Sequence, residues 1–241
     1  MCGRFTLKTP PEEWVKAFGL EQRPNLPPRY NIAPTQAVAA VRVKPGNGAR
    51  ELAALRWGLV PAWAEDPRIG ARMINARAES VAAKAAFRAA FRRRRCLIPS
   101  DGFYEWQRTR GKRQPFYVRL GAGAVFAFAG LWERWQGAGD EVRESCAIIT
   151  TEANEVVAPI HDRMPVILKP DDYGPWLEPA GLDREAGQAL LGPYPAQDMV
   201  AYPVGLRVNS PKDDDATCIA SLKEADALPF GATPPAGGAD A

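Results

Sequence analysis

A series of short β-rich segments in the middle of the chain constrains its fold more than any other feature. These segments share β-branched and aromatic residues, and the connections between them contain glycine. They cover residues 96–98, 102–106, 115–120, 125–131 and 146–151. Short strands joined by such connections favour pairing with their neighbours in an antiparallel sheet. We therefore predict a mostly antiparallel, barrel-like β core.

Helix and hairpin signals lie on both sides of these segments. Thr9 and Glu12 match a capping box and predict a helix that Gly19 ends. Ser80 predicts the cap of an alanine-rich helix that contains Phe87. Residues 37–43 and 51–57 predict a hairpin, residues 72–77 an extended segment, and residues 170–177 and 184–191 two further helices. We expect an α+β fold, a single domain whose core is flanked by helices.

Length and composition set the limits of this domain. The 241 residues, of which 46% are hydrophobic, suffice to bury a substantial core. We place the domain at residues 1–225, because residues 226–241 are rich in proline, glycine and alanine and have little to bury. That composition predicts a disordered C-terminal tail.

Several classes of function are disfavoured by composition. No run approaches about 18 apolar residues, so we expect no membrane span, and residues 2–10 lack the apolar segment of a secretory signal. We therefore expect a cytoplasmic protein. One histidine and four scattered cysteines form no zinc-binding pattern, so we expect free thiols and neither a metal nor a cofactor.

Charge alone does not identify a partner. The net charge is only +3, although arginine dominates the positive residues and recurs beside aromatic ones. Arginine suits phosphate because its planar fork donates two hydrogen bonds. The run Arg92–Arg95 we interpret as a solvated helix end and not as a binding site.

Cys2 is the residue with the most unusual chemistry. If Met1 is removed, Cys2 carries an α-amine and a thiol on adjacent carbons. Such a pair condenses with an aldehyde to an imine, which the sulfur closes into a five-membered thiazolidine. Cys2 is therefore a candidate aldehyde trap, and the alternative is an ordinary small, half-buried residue.

Three further positions offer groups that an aldehyde trap needs. His161, the sole histidine, has an unperturbed pKa near about 6.5, which suits a proton shuttle. On a strand, Glu105 shares a face with Phe103, and an inward carboxylate would have a perturbed pKa. Asn75 and Arg77 share another strand face, where an amide stands beside a cation. The alternatives are a structural histidine, a surface glutamate and polar residues near a helix cap.

Together these residues belong to a recognisable pattern. The chain resembles the SOS response-associated peptidase (SRAP) family of abasic-site processing proteins, and the motifs cover most of the chain up to about Cys218. The matching motifs are residues 1–5 (MCGRF), 30–34 (YNIAP), 57–61 (WGLVP), 74–77 (INAR), 101–106 (DGFYEW) and 161–165 (HDRMP). The resemblance implies an α+β fold with a barrel-like core and a basic groove for single-stranded DNA.

The resemblance also implies a reaction and its residues. Cys2 would trap the ring-opened aldehyde of an abasic site as a thiazolidine DNA–protein cross-link, which protects the lesion during the DNA damage response. Glu105 would activate the amine, His161 would act as acid or base, and Asn75 would position the nucleophile. Six residues match DNA-contacting positions: Arg4, Arg77 and Arg163 at phosphates, and Pro34, Trp63 and Trp106 at bases. No general protease is implied, although self-removal of Met1 is, along with a lyase- or hydrolase-type activity.

Two other functions fit part of this pattern. An N-terminal-nucleophile glutamine amidotransferase also begins with Met-Cys-Gly, and its terminal cysteine attacks an amide. A non-covalent reader of damaged DNA would use the same arginines and tryptophans and leave Cys2 idle. We expect a monomer without a membrane partner, associated with the nucleoid and with replication forks.

Overall fold

The computed structural model describes residues 2–44, 48–109, 111–178, 180 and 183–222. The strands are β1 (Phe5–Leu7), β2 (Arg29–Ile32), β3 (Ala37–Val43), β4 (Arg50–Trp57), β5 (Asn75–Arg77), β6 (Arg95–Ser100), β7 (Gly102–Thr109), β8 (Lys112–Leu120), β9 (Phe126–Gln136), β10 (Val142–Glu152), β11 (Arg163–Pro165), β12 (Ile167–Leu168) and β13 (Met199–Pro203). The α-helices are α1 (Pro11–Phe18), α2 (Arg88–Arg93), α3 (Tyr173–Leu177) and α4 (Arg184–Ala189). Short 3-10 helices cover Pro67–Arg72, Pro170–Asp172, Ala196–Asp198, Leu206–Asn209 and Ala216–Ile219.

Five strands close into a barrel. Their order is β10, β4, β3, β6 and β9, and β9 pairs with β10 again, which removes both edges. Most pairs are antiparallel, but β10 runs parallel to β4 and to β5. The predicted single α+β domain with a mostly antiparallel, barrel-like core is confirmed.

A second sheet packs beside the barrel and carries the N-terminal strand. Its order is β13, β8, β7, β1 and β2, with antiparallel pairing throughout. Phe5 of β1 meets barrel residues edge to face, with ring centroids 5.2 Å from Trp57 and 5.7 Å from Phe128. Phe103 of β7 also contacts Phe128, at 6.1 Å. These aromatic contacts fix the position of β1, and therefore of Cys2, against the barrel.

The first helix follows the sequence prediction except at its start. Gly19 ends α1 in the left-handed conformation, with φ +64°. Thr9, however, does not cap it: Pro10 stands at the cap position without a side-chain hydrogen bond, so no capping box forms. The Thr9 hydroxyl instead donates to Asp101 at 2.8 Å. As a helix cap this hydroxyl would accept from a backbone N–H, whereas here it donates to a buried carboxylate, and this charge-assisted hydrogen bond is the stronger of the two.

The predicted helix after Ser80 was wrong in extent. Residues 78–87 form successive turns, and α2 begins only at Arg88. The Ser80 hydroxyl is buried and has no hydrogen-bond partner among the described residues. Tertiary contacts hold this segment, because the Ala78 N–H donates to the Thr150 carbonyl beside it.

The interpretation of residues 92–95 as a solvated helix end was also wrong for Arg95. Its side chain is buried and donates to four carbonyl oxygens. The acceptors are Phe91 and Arg92 at the end of α2, and Trp176 and Glu178 at the end of α3. Carbonyls at the end of a helix lack partners within the helix, so this guanidinium completes two helix ends at once.

The remaining strand, hairpin and helix predictions are confirmed with small shifts in their bounds, whereas the prediction of an extended segment from residue 72 is wrong at Arg72, which ends a 3-10 helix. β3 and β4 form the predicted hairpin, in which Val43 pairs with Arg50, and residues 45–47 of its loop lie outside the described residues. The segment 72–77 is extended only in β5. The predicted tail at 226–241 lies outside the described residues. Among those described, no helix has the length and apolar character to cross a membrane.

Candidate functional site

Strand pairing brings the N-terminus to Glu105. In the β1–β7 pair, Phe5 lies opposite Phe103, and the Tyr104 N–H donates to the Arg4 carbonyl at 3.0 Å. Continued by two residues, this antiparallel register puts Gly3 opposite Glu105. The charge of Glu105 is accordingly close enough to Cys2 to raise the pKa of its thiol. The motif at residues 101–106 and the first residues of the chain thus form one site.

Cys2 is enclosed. Its side chain has no solvent exposure and belongs to the main hydrophobic core. Burial, with a smaller contribution from Glu105, raises the pKa of the Cys2 thiol well above its usual range. The sulfur is therefore a thiol and not a thiolate at neutral pH, so it does not act as a free-standing nucleophile.

Asn75 holds the backbone of Cys2. Its side-chain N–H donates to the Cys2 carbonyl at 2.8 Å. Asn75 lies in β5, which pairs in parallel with β10 of the barrel. The barrel therefore fixes the position of Asn75 and, through this hydrogen bond, the position of the Cys2 backbone. The other amide atom, Oδ1, is buried and has no partner among the described residues. It is available as an acceptor beside Cys2.

Glu105 shares a strand face with Phe103, as the alternation predicts, and this face points inward, so the alternative of a surface glutamate is wrong. Glu105 and Phe103 are both buried, whereas Tyr104 and Trp106 pack together on the opposite face, with ring centroids 6.5 Å apart. Burial raises the pKa of Glu105 to about 7. A carboxyl group with this pKa gains and loses a proton readily at neutral pH, which suits a general base.

His161 lies in a tight turn close to β7. Its Nδ1 is 2.9 Å from the Arg163 backbone N–H and 2.9 Å from an oxygen of Asp162. Burial lowers the pKa of His161, which Asp162 partly offsets, so the neutral ring prevails at pH 7. A neutral ring accepts the Arg163 N–H at Nδ1 and carries its own proton on Nε2. The imidazole can therefore donate from Nε2.

Two of the predicted DNA-contacting arginines already have protein partners. Arg163 makes a bidentate ion pair with Glu79, at 2.6 and 3.1 Å, and donates to the Thr150 carbonyl at 2.6 Å. Arg4 donates to Asn31 Oδ1 at 2.7 Å and to the Val208 carbonyl at 2.6 Å. Both guanidiniums are held in position. A phosphate that binds Arg163 must share the guanidinium with Glu79.

The other predicted DNA-contacting residues differ in environment. Arg77 is exposed at the end of β5. The Trp106 indole N–H donates to Asn209 Oδ1 at 2.7 Å, which fixes the plane of its half-buried ring. Pro34 is half-buried. Trp63 is 60% exposed, a large fraction for an indole, and lines a pocket of about 690 Å³ with residues 64–66, 68, 69 and 72.

Sequence reasoning missed a residue that connects the Glu105 strand to the loop of His161. Gln107 lies two positions after Glu105 on the same strand face, and it is buried. Its side-chain N–H donates to the Pro159 carbonyl at 3.0 Å, two residues before His161. The other amide atom of Gln107, Oε1, is buried without a partner among the described residues. The alternation that singled out Phe103 and Glu105 extends to Gln107 and could have indicated it.

Sequence reasoning also missed the anchor of the N-terminal strand. The buried carboxylate of Asp101 accepts from the backbone N–H groups of Lys8 and Thr9, at 2.6 and 2.7 Å, and from the Thr6 hydroxyl. Three residues that follow Cys2 are thereby tied to the start of β7. The acidic residue next to a glycine at a strand start was the available signal.

No group of three or more His, Cys, Asp or Glu side chains in the described part of the chain could hold a metal ion. The chemistry that these residues can perform is proton transfer and nucleophilic addition. The fold and the site together define an α+β barrel protein whose N-terminal strand delivers a buried cysteine to a carboxyl group of raised pKa.

Comparison with known proteins identifies the family. The family model described as SOS response associated peptidase (SRAP) matches residues 1–211, and the chain belongs to this family. The chain is 46% identical over 220 residues to the abasic site processing protein YoaM of Bacillus subtilis, covering 90% of this chain and 96% of YoaM. It is 28% identical to the abasic site processing protein YedK of Escherichia coli, covering 91% and 99%.

Solved structures show the same fold. A protein from Bacteroides thetaiotaomicron matches with a TM-score of 0.82 at 25% identity, covering 92% of this chain and 100% of that one. A protein from Bordetella bronchiseptica matches with a TM-score of 0.71 at 30% identity, covering 85% and 100%.

Proposed function

We propose that this chain is an abasic-site sensor that binds single-stranded DNA and captures the lesion covalently through Cys2. The names of its relatives, abasic site processing proteins, support the choice of substrate. The observation that carries the proposal is the juxtaposition at the N-terminus. Cys2 is held at its carbonyl by Asn75 and lies beside Glu105, whose pKa burial raises to about 7.

The reaction balances without a cofactor. Ring opening of the abasic deoxyribose breaks the bond from C1′ to O4′, and it moves one proton to O4′ and removes another from the C1′ hydroxyl. The Cys2 amine adds to the resulting aldehyde and loses water, which gives an imine. The thiol then adds across the C=N bond: sulfur bonds to C1′ and its proton passes to nitrogen. The thiazolidine and one water are the products.

The protonation states at the site fit this order of steps. The Cys2 thiol is protonated, so the amine attacks first. Glu105, which titrates near neutrality, takes the proton from the Cys2 ammonium. The imidazolium form of His161 gives its Nε2 proton to O4′ as the sugar opens, which leaves the neutral ring that prevails at pH 7. Asn75 keeps the Cys2 backbone fixed while the ring closes, which restricts the reacting groups to a productive geometry.

DNA contacts follow from the remaining residues. Arg4, Arg77 and Arg163 bind phosphates, and the flat surfaces of Trp106, Trp63 and Pro34 contact bases. Stacking on an aromatic side chain tolerates any base, which suits a protein that must find a lesion in any sequence. The cross-link shields the lesion during the DNA damage response, and the protein acts as a monomer at the nucleoid and at replication forks.

Removal of Met1 is the condition for this chemistry. With Met1 attached, the Cys2 nitrogen is a peptide amide and cannot form the imine. We assign to the same site the hydrolysis that releases Met1, a self-processing step of hydrolase type. Cross-linking is then a lyase-like DNA reaction, and general proteolysis is not part of the proposal.

A denaturing gel with abasic single-stranded DNA tests the proposal, and intact mass spectrometry establishes in parallel that Met1 has been removed. We expect a shifted band for the processed protein without any reductant. Cys2→Ser keeps the amine but replaces sulfur, so we expect its band only after borohydride reduces the imine. Cys2→Ala should behave in the same way as Cys2→Ser.

Each alternative function predicts a different result. A shifted band for Cys2→Ser without reductant would show that the thiazolidine is not the linkage. DNA binding with no covalent band under any condition would favour a non-covalent reader. Glutamate release from glutamine by the wild-type protein would favour the amidotransferase.

A further inference from the structure

The hairpin that continues the Glu105 strand ends in a concentration of positive charge. β7 and β8 pair down to Thr109 opposite Lys112, and Arg108 lies directly opposite Arg113. Arg108, Lys112 and Arg113 are all exposed. Across the described residues, no ion pair joins any of these three side chains to a carboxylate. The tip is therefore a cluster of cations that no carboxylate of the described residues neutralises.

The Arg108–Arg113 pairing works against folding. Residues directly opposite each other in an antiparallel pair have Cβ atoms about 4.5–5.5 Å apart, and like charges at that distance are destabilising. No ion pair among the described residues offsets this repulsion. An anionic ligand between them would turn the repulsion into a pair of attractive contacts.

The position of the tip ties it to the proposed site. Arg108 follows Trp106 by two residues on the same strand face, about 6.7 Å further along at the usual rise of a strand. Arg113 shares that face because it lies opposite Arg108. Near the tip, Gln107 on the opposite strand face bonds to the loop that carries His161, and the charge of Arg108 contributes to lowering the pKa of His161. The cations thus extend the surface of Trp106, on the strand face opposite Glu105 and Gln107.

We propose that this hairpin tip, through Arg108, Lys112 and Arg113, binds the phosphate backbone of the DNA strand adjacent to the nucleotide that contacts Trp106. The inference rests on the proposed function, from which it takes single-stranded DNA as the binding partner. It adds a contact surface on one side of the lesion, outside the motifs that define the family resemblance. A stacked base on Trp106 leaves its neighbouring phosphates within reach of both arginines.

Binding of undamaged single-stranded DNA, measured across a range of salt concentrations, tests the surface without any covalent step. The test variant is the triple Arg108→Gln, Lys112→Gln, Arg113→Gln. The matched control is Arg88→Gln, Arg92→Gln, Arg93→Gln, which removes the same charge from exposed positions in α2. For single strands each phosphate contact contributes about 0.7 to the slope of log affinity against log salt, so loss of two or three contacts should flatten the slope by about 1.4–2.1.

The control triple should leave the slope within about 0.3 of the wild-type value, well below one contact. Equal flattening in both triples, or none in the hairpin triple, would overturn the proposal. A thermal melt of both triples accompanies the binding curves. We expect the hairpin triple to melt at or above the wild-type temperature because the like-charge pair is gone, so weaker binding cannot be ascribed to unfolding.

Oligonucleotides shortened from either end locate the contact. The difference between wild type and the hairpin triple should disappear when the strand is shortened on one side of the abasic site and persist when it is shortened on the other. A difference that persists for both truncations would overturn the assignment to one flank. If the wild-type protein forms no cross-link but the slopes of log affinity against log salt are as expected, the proposed function is wrong and the binding surface at the hairpin tip stands.

Discussion

Asn75 donates its side-chain N–H to the carbonyl oxygen of Cys2 across 2.8 Å, so a residue of the barrel wall holds the first described residue of the chain. Asn75 is more than 70 positions away in the sequence. In the proposed reaction the amine and the thiol of Cys2 must meet one carbon atom, and the contact restrains the backbone that carries both. Its expected role is therefore in rate and not in DNA affinity.

Asn75→Ala should slow cross-linking while DNA affinity stays the same. A net hydrogen bond contributes about 1 kcal/mol, so the expected loss is about fivefold in single-turnover rate if only the Cys2 contact is lost. Asn75→Asp should lose at least as much, because a carboxylate cannot donate to the carbonyl. Quantifying the covalent band over time in a denaturing gel checks both variants. An unchanged rate with weaker binding would instead place Asn75 on the DNA surface.

Glu105 should make the folded protein less stable as pH rises through neutrality. Its pKa, about 7 when folded against an ordinary value of 4.5, is raised by burial. The stabilisation by the protonated group is therefore complete below about pH 4 and is lost as pH rises through about 7. Glu105→Gln mimics the protonated form, and we expect it to be more stable than wild type at pH 8 by about 2–4 kcal/mol.

Urea unfolding of wild type and Glu105→Gln at pH 4 and pH 8 measures this difference. The two proteins should differ far less at pH 4 than at pH 8. Cross-linking by Glu105→Gln should be slow at every pH, whereas the wild-type rate should rise between about pH 6 and 8 as the carboxylate forms. Equal stability gaps at both pH values would contradict the raised pKa.

The ion pair between Glu79 and Arg163 should compete with DNA. Glu79 occupies both arms of the Arg163 fork, and its side chain is 56% exposed and therefore displaceable. Exposed ion pairs contribute about 0–1 kcal/mol, so Glu79→Gln should tighten binding of single-stranded DNA by up to about fivefold.

Glu12→Gln is a matched control for that change. Glu12 forms an exposed ion pair with Arg23 in another part of the surface, so the substitution removes the same charge. Fluorescence anisotropy at constant salt compares the two variants. If both tighten binding equally, the effect comes from net charge and Arg163 is not freed for phosphate.

Gln107 should act through His161. Gln107→Leu removes the hydrogen bond to the Pro159 carbonyl and also the buried acceptor Oε1. We expect slower cross-linking with unchanged DNA affinity, since the imidazole loses its fixed orientation. The double variant Gln107→Leu, His161→Ala should be no slower than His161→Ala alone, because the two residues serve one step. Additive losses would show that Gln107 acts independently of His161.

The strands could be predicted from the sequence because their signals are local. β-branched and aromatic residues, alternation and glycine-containing connections act over a few positions, and β3, β4 and β6 to β10 lie where these signals are strongest. The same alternation predicted that Glu105 and Phe103 share a face, but it left open whether that face points inward. The resemblance to a family then supplied the association of Cys2, Asn75, Glu105 and His161, which no local pattern contains.

Contacts between distant residues could not be predicted. The sequence around Thr9 predicts a helix cap, but the Thr9 hydroxyl donates to Asp101, 92 positions away, because a buried carboxylate needs hydrogen-bond donors. Arg95 belongs to a run of arginines that indicates a solvated surface, but its guanidinium donates to carbonyl oxygens at the ends of two helices. The ion pair of Arg163 with Glu79 likewise depends on how β11 meets the segment after β5. In each case the competing partner is set by tertiary packing and not by neighbouring residues.

The burial of Cys2 also affects how long its thiol stays reduced. A thiolate that water can reach attacks peroxides and disulfides, whereas a buried, protonated thiol resists both reactions. We expect the cysteine to stay reduced through the oxidative episodes that themselves create abasic sites. In the proposed function each Cys2 reacts once, so this burial would keep the thiol from side reactions until it meets a damaged sugar.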